Sequence, residues 1–209
     1  KWIVFECNWK VALEAFNETY HVPGTHPEFM AFGDFPGWAR NHGLHSNIGY
    51  DAPKDMEENS GKLRIGSGED ARLSTAEMQK YTWEAANTNT TQTMVDMAYR
   101  LKDELPEGTP PAEVLMHWIR RSREIDAERG VIWPVVDPSH TAKAGTAWQI
   151  FPNFQIGHAV NNMLCYQARP YGYDPDKCIF EAAVYELYPE GEAPETEWTY
   201  TRPHEWPPV

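Results

Sequence analysis

The sequence has 209 residues, enough for one domain with a good core and too few for two ordinary ones. Its 31 acidic against 18 basic side chains give a formal charge of −13, which repels phosphate backbones and argues against nucleic acid or an anionic membrane surface as partner. No run of 18 apolar residues and no signal peptide occurs, so a soluble, cytoplasmic protein with no membrane partner is expected. Three cysteines, Cys7, Cys165 and Cys178, are odd in number and far apart. They read as buried reduced thiols, not as a disulfide framework or a zinc ribbon.

The chain opens without an initiator Met on the strand-like run Lys1-Trp2-Ile3-Val4-Phe5 and closes on Pro-Pro-Val, as a piece of something longer would. From Asn8 to about His21 the spacing predicts a helix. Trp9, Leu13, Phe16 and Tyr20 fall at i, i+4, i+7 and i+11, one apolar stripe that would face a core. Glu14, Glu18 and His21 form a second, polar stripe on the same helix. Pro23 lacks a backbone N–H and disfavours helical backbone at Val22, so the helix must stop near His21, and His26 follows across the break. On an unbroken helix two His five apart would splay; across a break both rings can aim at one point. Neutral imidazole suits Fe, Zn, Cu or Ni, and two His plus a carboxylate with open positions is the ligand set of non-haem Fe(II) oxygenases. The alternative on spacing alone is a helix-terminal His and a loop His, each satisfied by backbone groups.

Residues 27–70 are rich in Gly, Pro, Asn and His and read as loop with short strands at Ser46–Tyr50 and Lys62–Ile65. Phe29, Met30, Phe32, Phe35 and Trp38 lie there at irregular spacing, either as a pocket wall beside the metal or as a satellite core. His42 and His45 stand i, i+3 in a Gly-flanked loop, a second candidate metal pair with no third ligand nearby. Ser74 with Glu77 forms a capping-box pattern opening a helical zone to Glu104, with Met94, Ala98 and Leu101 on a buried face and a possible break at Asn87–Thr93. Pro111 opens another helix, with Val114, Leu115, Trp118, Ile119 and Ile125 buried, Arg120, Arg121, Arg123, Glu124 and Asp126 solvated, and Gly130 at its end. The period then changes to two. Strands are expected at Thr146–Phe151, Asn162–Ala168 and Cys178–Leu187, and helices segregated from consecutive strands mean an α+β fold with an antiparallel sheet.

The run N-W-K, E-x-Y-H-x4-H-P in residues 8–27 resembles the start of the catalytic domain of Rieske-type ring-hydroxylating oxygenases, the alpha (large) subunit family. I-F-P-N at Ile150–Asn153 and R-P-x-G at Arg169–Gly172 extend the resemblance to about Leu187. It implies a helix-grip fold of the START or Bet v 1-like type, a curved antiparallel sheet with flanking helices around a cavity, in a single catalytic domain over residues 1–209. It implies His21 and His26 as ligands of a mononuclear Fe(II), and Glu18 as the acidic link to a Rieske [2Fe–2S] cluster in a neighbouring subunit. Phe16, Phe29, Met30 and Phe32 would bind an aromatic or other apolar substrate, which O2 hydroxylates.

The Rieske cluster's own Cys and His pairs are absent, because no Cys here has a His two or three residues on. A Rieske domain is therefore expected N-terminal to this chain, fed from NAD(P)H through a reductase or ferredoxin. The resemblance also implies a homotrimer or an alpha3beta3 assembly. The family's third ligand, an Asp on a late helix, has no counterpart in the Pro- and Glu-rich residues 189–209 and is expected beyond Val209. A monooxygenase or demethylase on the same iron is the nearest alternative; a metal-free START-like ligand carrier is the rival of another class. No H-E-x-x-H occurs to support a zinc hydrolase.

Overall fold

Every strand in the computed structural model runs antiparallel to its neighbours; the model describes residues 1–14, 16–27, 29, 37–50, 70–86 and 88–196. The elements in chain order are β1 (Trp2–Phe5), α1 (Trp9–Glu14), α2 (His21–Thr25), β2 (Gly37–His42), β3 (His45–Tyr50), α3 (Ala71–Ala86), α4 (Gln92–Glu104), α5 (Pro111–Glu128), α6 (Pro138–Ala144), β4 (Ala147–Ile150), β5 (Phe154–His158), β6 (Asn162–Tyr171) and β7 (Asp174–Glu186). The sheet order is β1-β7-β6-β5-β4-β3-β2. Strands β3 and β4 are neighbours in space, yet α3 to α6 lie between them in sequence. The first strand closes the far edge on the last, with the Lys1 backbone nitrogen donating to the Ala182 carbonyl at 2.7 Å. The α+β class and the antiparallel sheet are as expected.

Two apolar clusters hold these layers. The helical one joins α3, α4 and α5 through Ala71, Ala76, Met97, Leu101, Val114 and Trp118, capped by Val131 and Trp133. Complete burial of Leu101, Met97 and Val114 contributes roughly 1.5–3 kcal/mol per side chain. The second cluster packs Leu13 of α1 on Ala168 of β6 and Phe180 of β7, with Trp9 and Phe16 at its margin.

Several local expectations are corrected. Helix α3 starts at Ala71 and not at Ser74: the Asp70 carboxylate accepts the Arg72 backbone N–H at 2.9 Å and its guanidinium at 2.6 Å. Arg72 also donates to the Leu105 carbonyl at 2.7 Å, tying the start of α3 to the end of α4. The break before α4 is real, and Thr91 caps α4 by accepting from Met94 N–H. Asp126, expected to be solvated, is buried, because Trp133 Nε1 and Asn161 Nδ2 both donate to its Oδ2 at 2.6 and 3.2 Å. Strands β2 and β5 were not foreseen, and the expected strand Lys62–Ile65 lies outside the described residues. Among the described residues no helix is long and apolar enough to cross a membrane. All three cysteines are free, with Cys165 and Cys178 buried and their thiols pushed up by burial.

Candidate metal centre

The single helix expected over residues 8–21 is two. Asn8 opens α1, its side chain accepting the Lys10 N–H at 3.0 Å and its carbonyl accepting the Ala12 N–H at 3.1 Å. The last carbonyls of α1 find partners outside the helix. Leu13 C=O accepts Gln155 Nε2 of β5 at 2.9 Å as well as the Phe16 N–H at 3.1 Å, and Gln155 also donates to Asn17 Oδ1 at 3.1 Å. A buried side chain on a distant strand thus caps the end of the helix. The polar stripe of Glu14, Glu18 and His21 therefore does not form, and Glu14 is exposed. The apolar stripe holds for Trp9, Leu13 and Phe16 but not for Tyr20, which is 79% exposed.

Helix α2 starts at His21 instead of ending there, and Pro23 sits in its first turn, where its missing N–H costs nothing. One carboxylate starts this turn. Glu18 Oε2 accepts the His21 backbone N–H at 2.9 Å while Oε1 accepts Nδ1–H of the His21 ring at 2.8 Å. The same residue is gripped at main chain and side chain, which fixes the ring's orientation and tautomer and leaves Nε2 with its lone pair outward. Thr25 Oγ1 donates to the His21 carbonyl at 2.8 Å, and His26 N–H donates to Val22 C=O at 2.8 Å. One short turn therefore carries both imidazoles.

The two rings stand 5.9 Å apart between centroids at an interplanar angle of 77°. With a ring nitrogen about 2.1 Å from a metal and about 1.1 Å from its own ring centre, two imidazoles sharing one ion have centroids at most about 6.4 Å apart. That is an outer limit, reached only with the two nitrogens on opposite sides of the ion, and the pair lies inside it. Rings binding a divalent transition metal side by side would have to move closer. Phe29 meets His26 edge-on at 6.1 Å and Tyr81 of α3 at 5.1 Å, tying the turn to the helical layer. Among the described residues no group of three or more His, Cys, Asp or Glu gathers at one point, so no third ligand is found there.

His21 lines a cavity of about 480 Å3 between the sheet and the helices. Of the expected substrate residues Phe16 and Phe29 line it, while Met30 and Phe32, like Phe35, lie outside the described residues. Phe16 stacks on Tyr166 of β6 at 4.5 Å, and burial pushes the Tyr166 phenol above its ordinary value. His158 of β5 also lines the cavity, and burial lowers its pKa from the ordinary 6.5, so it is neutral at physiological pH.

Sequence reasoning missed Tyr166, Gln79, Gln155 and His158. The clue available for Gln79 was that Thr75, Gln79 and Thr82 repeat at i, i+4, i+7, a polar stripe on α3 that is in fact buried. Trp118 was read as core and both packs there and borders the cavity.

The second His pair forms no metal site. His42 and His45 close the β2–β3 hairpin, where His42 Nε2–H donates to Asn47 Oδ1 at 2.9 Å and its ring stacks on Trp148 at 5.2 Å. His45 Nδ1 accepts the Phe151 N–H at 3.2 Å.

A family model described as ring hydroxylating alpha subunit (catalytic domain) matches residues 1–205. No curated protein and no solved structure matches the chain.

Proposed function

Since the chain belongs to the ring-hydroxylating alpha-subunit family, as its catalytic domain, and is an oxygenase on that ground, we propose that it hydroxylates an aromatic or other apolar substrate with O2 at a mononuclear Fe(II) held by His21 and His26. A carboxylate outside the described residues would complete the set. Bound iron would supply the redox chemistry that lets triplet O2 react with a closed-shell molecule. The observation that carries the reading is the Glu18–His21 clamp at the edge of a cavity, with the near-perpendicular imidazole of the exposed His26 beside it.

The chain's own residues divide the work. Glu18 holds the Nδ1–H tautomer of His21, so Nε2 is the atom offered to the metal. A carboxylate has about four acceptor positions, and His21 uses two; the remainder can accept from a cluster-bound His of a neighbouring subunit. Glu18 thereby joins the iron to a Rieske [2Fe–2S] cluster, carried by a domain N-terminal to this one and supplied from NAD(P)H by a reductase or ferredoxin. That role requires a trimer, alone or with beta subunits. Phe16, Tyr166 and Phe29 wall the cavity beside His21, offering aromatic faces to a flat substrate and excluding water from it. A metal-free carrier is the poorer reading, because the family is one of oxygenases.

Metal analysis of the purified protein and of His21→Ala tests the assignment. Iron near one per chain in the wild type and none in the variant is expected; equal iron in both would sink it.

A further inference from the structure

Helix α3 turns a polar stripe toward the sheet. Thr75, Gln79 and Thr82 are all buried, at 0%, 5% and 8% exposure. The two hydroxyls are answered within the helix, Thr75 Oγ1 donating to Ala71 C=O at 2.7 Å and Thr82 Oγ1 to Met78 C=O at 2.8 Å. Gln79 is different. It borders the cavity, and its Oε1 has no hydrogen-bond partner among the described residues. Leaving such a group unanswered costs about as much as a hydrogen bond contributes, so a native site retains one where something else answers it. The other buried side-chain atoms without a partner among the described residues, on Thr88, Thr90, Ser122 and Asn162, are on side chains that do not line the cavity.

The charges on that wall are equally informative. No Asp, Glu, Lys or Arg is among the described residues that line the cavity. Its imidazoles are no substitute for a cation: His158 is neutral, as burial dictates, and His21 is already paired with Glu18. A carboxylate inside would be stripped of water and, anywhere but at the proposed iron on His21, left without a counter-ion. Size sets the last limit. A cavity of about 150 Å3 takes one benzene ring, and this one, at about 480 Å3, has room for two or three rings.

Resting on the reading of this cavity as the substrate site, we propose that the substrate is a neutral two- or three-ring aromatic bearing a hydrogen-bond donor, a hydroxyl or an N–H, which Gln79 Oε1 accepts. The rings lie against Phe16 and Tyr166, and Gln79, on the opposite layer, sets which edge of the ring system points to His21. Gln79 is thus a specificity-determining residue for this reaction.

Equilibrium dialysis of the purified protein against naphthalene, 2-naphthol and 2-naphthoate tests this without turnover. In the wild type 2-naphthol should bind about 5- to 10-fold tighter than naphthalene, one net hydrogen bond's worth, and 2-naphthoate weakest of the three. Gln79→Leu, near in size and free of polar atoms, should bring the naphthol-to-naphthalene ratio close to one with the melting temperature unchanged or raised. His21→Ala, which removes the proposed iron, should keep the wild-type ratio, because the accepting atom is on α3. Equal binding of naphthalene and 2-naphthol by the wild type would mean that water alone answers Gln79, and would overturn the proposal, as would tightest binding of 2-naphthoate. A preference that survives in Gln79→Leu or vanishes in His21→Ala would overturn it too, the latter by moving recognition to the metal. An iron-free wild type that still prefers 2-naphthol would reject the oxygenase centre and leave this inference standing.

Discussion

Two histidine pairs of similar spacing meet opposite fates, and their partners explain why. At the tip of the β2–β3 hairpin Asn47 donates its amide to the Lys143 and Ala144 carbonyls at 2.9 Å, so its oxygen faces His42 and fixes the Nε2–H tautomer. His42 is left with Nδ1 alone, while His45 accepts the Phe151 N–H at Nδ1 and carries its proton on Nε2, so the pair cannot aim two free lone pairs at one ion. In the turn of α2 the ring also donates, but through Nδ1. Glu18 takes the Nδ1 proton of His21 and frees Nε2. Spacing nominates candidates; the group behind each ring decides whether it can ligate.

The contrast is open to attack, beginning with the largest effect. His21→Ala should lose iron and hydroxylation by more than the about 10- to 100-fold that an outer partner is worth, whereas His42→Ala should keep both. Elemental analysis of the two variants side by side checks this, and iron lost equally from both would erase the distinction. Glu18→Gln should come next. It keeps iron at saturating metal, weakens affinity about tenfold, and slows donor-supported turnover more than metal loss explains; turnover at the wild-type rate would deny Glu18 its role. Gln155→Leu should then lower stability by about 1–3 kcal/mol, since Leu13 C=O and Asn17 Oδ1 lose their partner beneath the turn. A melting temperature lower by several degrees, with weaker iron retention, is the expected readout.

Smaller effects sharpen the same contrast. His42→Phe keeps the stack on Trp148 and loses the bond to Asn47, so thermal melts should register about 0.5 kcal/mol or less at this exposed site, with iron unchanged. His158 belongs to neither pair, and its effect should be the least. Its folded-state pKa lies below the ordinary 6.5, so as pH falls through that value the unfolded chain gains a proton that the folded one resists, and stability declines. Melting temperatures from pH 7.5 down to 5.5 should fall less steeply in His158→Asn; identical slopes would assign the decline to other groups.

How far the letters reach follows from the range of the forces involved. The stripes of α4 and α5 were legible because each is a local repeat with one apolar face, and Val114, Trp118, Met94 and Leu101 are buried as their spacing demands. His21, His26 and Glu18 were legible as a local motif, and the structure brings them together on one turn. The helix break was not: the side chain that caps the end of α1, Gln155, lies more than a hundred residues away. The polar wall was hidden for a related reason: Gln79 on an otherwise amphipathic helix looks like a solvated residue until the sheet is laid over it. Asp126 misled in the same way, its carboxylate being claimed by Trp133 and Asn161.

The anchoring of α1 on β6 and β7 has a consequence for the order of events at the ribosome. The histidine-bearing turn is translated well before Ala168 and Phe180, the surface on which α1 packs. A nascent chain halted before Asp174 should already protect the amides of α4 and α5 from exchange while the turn remains open. Ordering of the histidine-bearing turn is thereby postponed until β6 and β7 have left the tunnel.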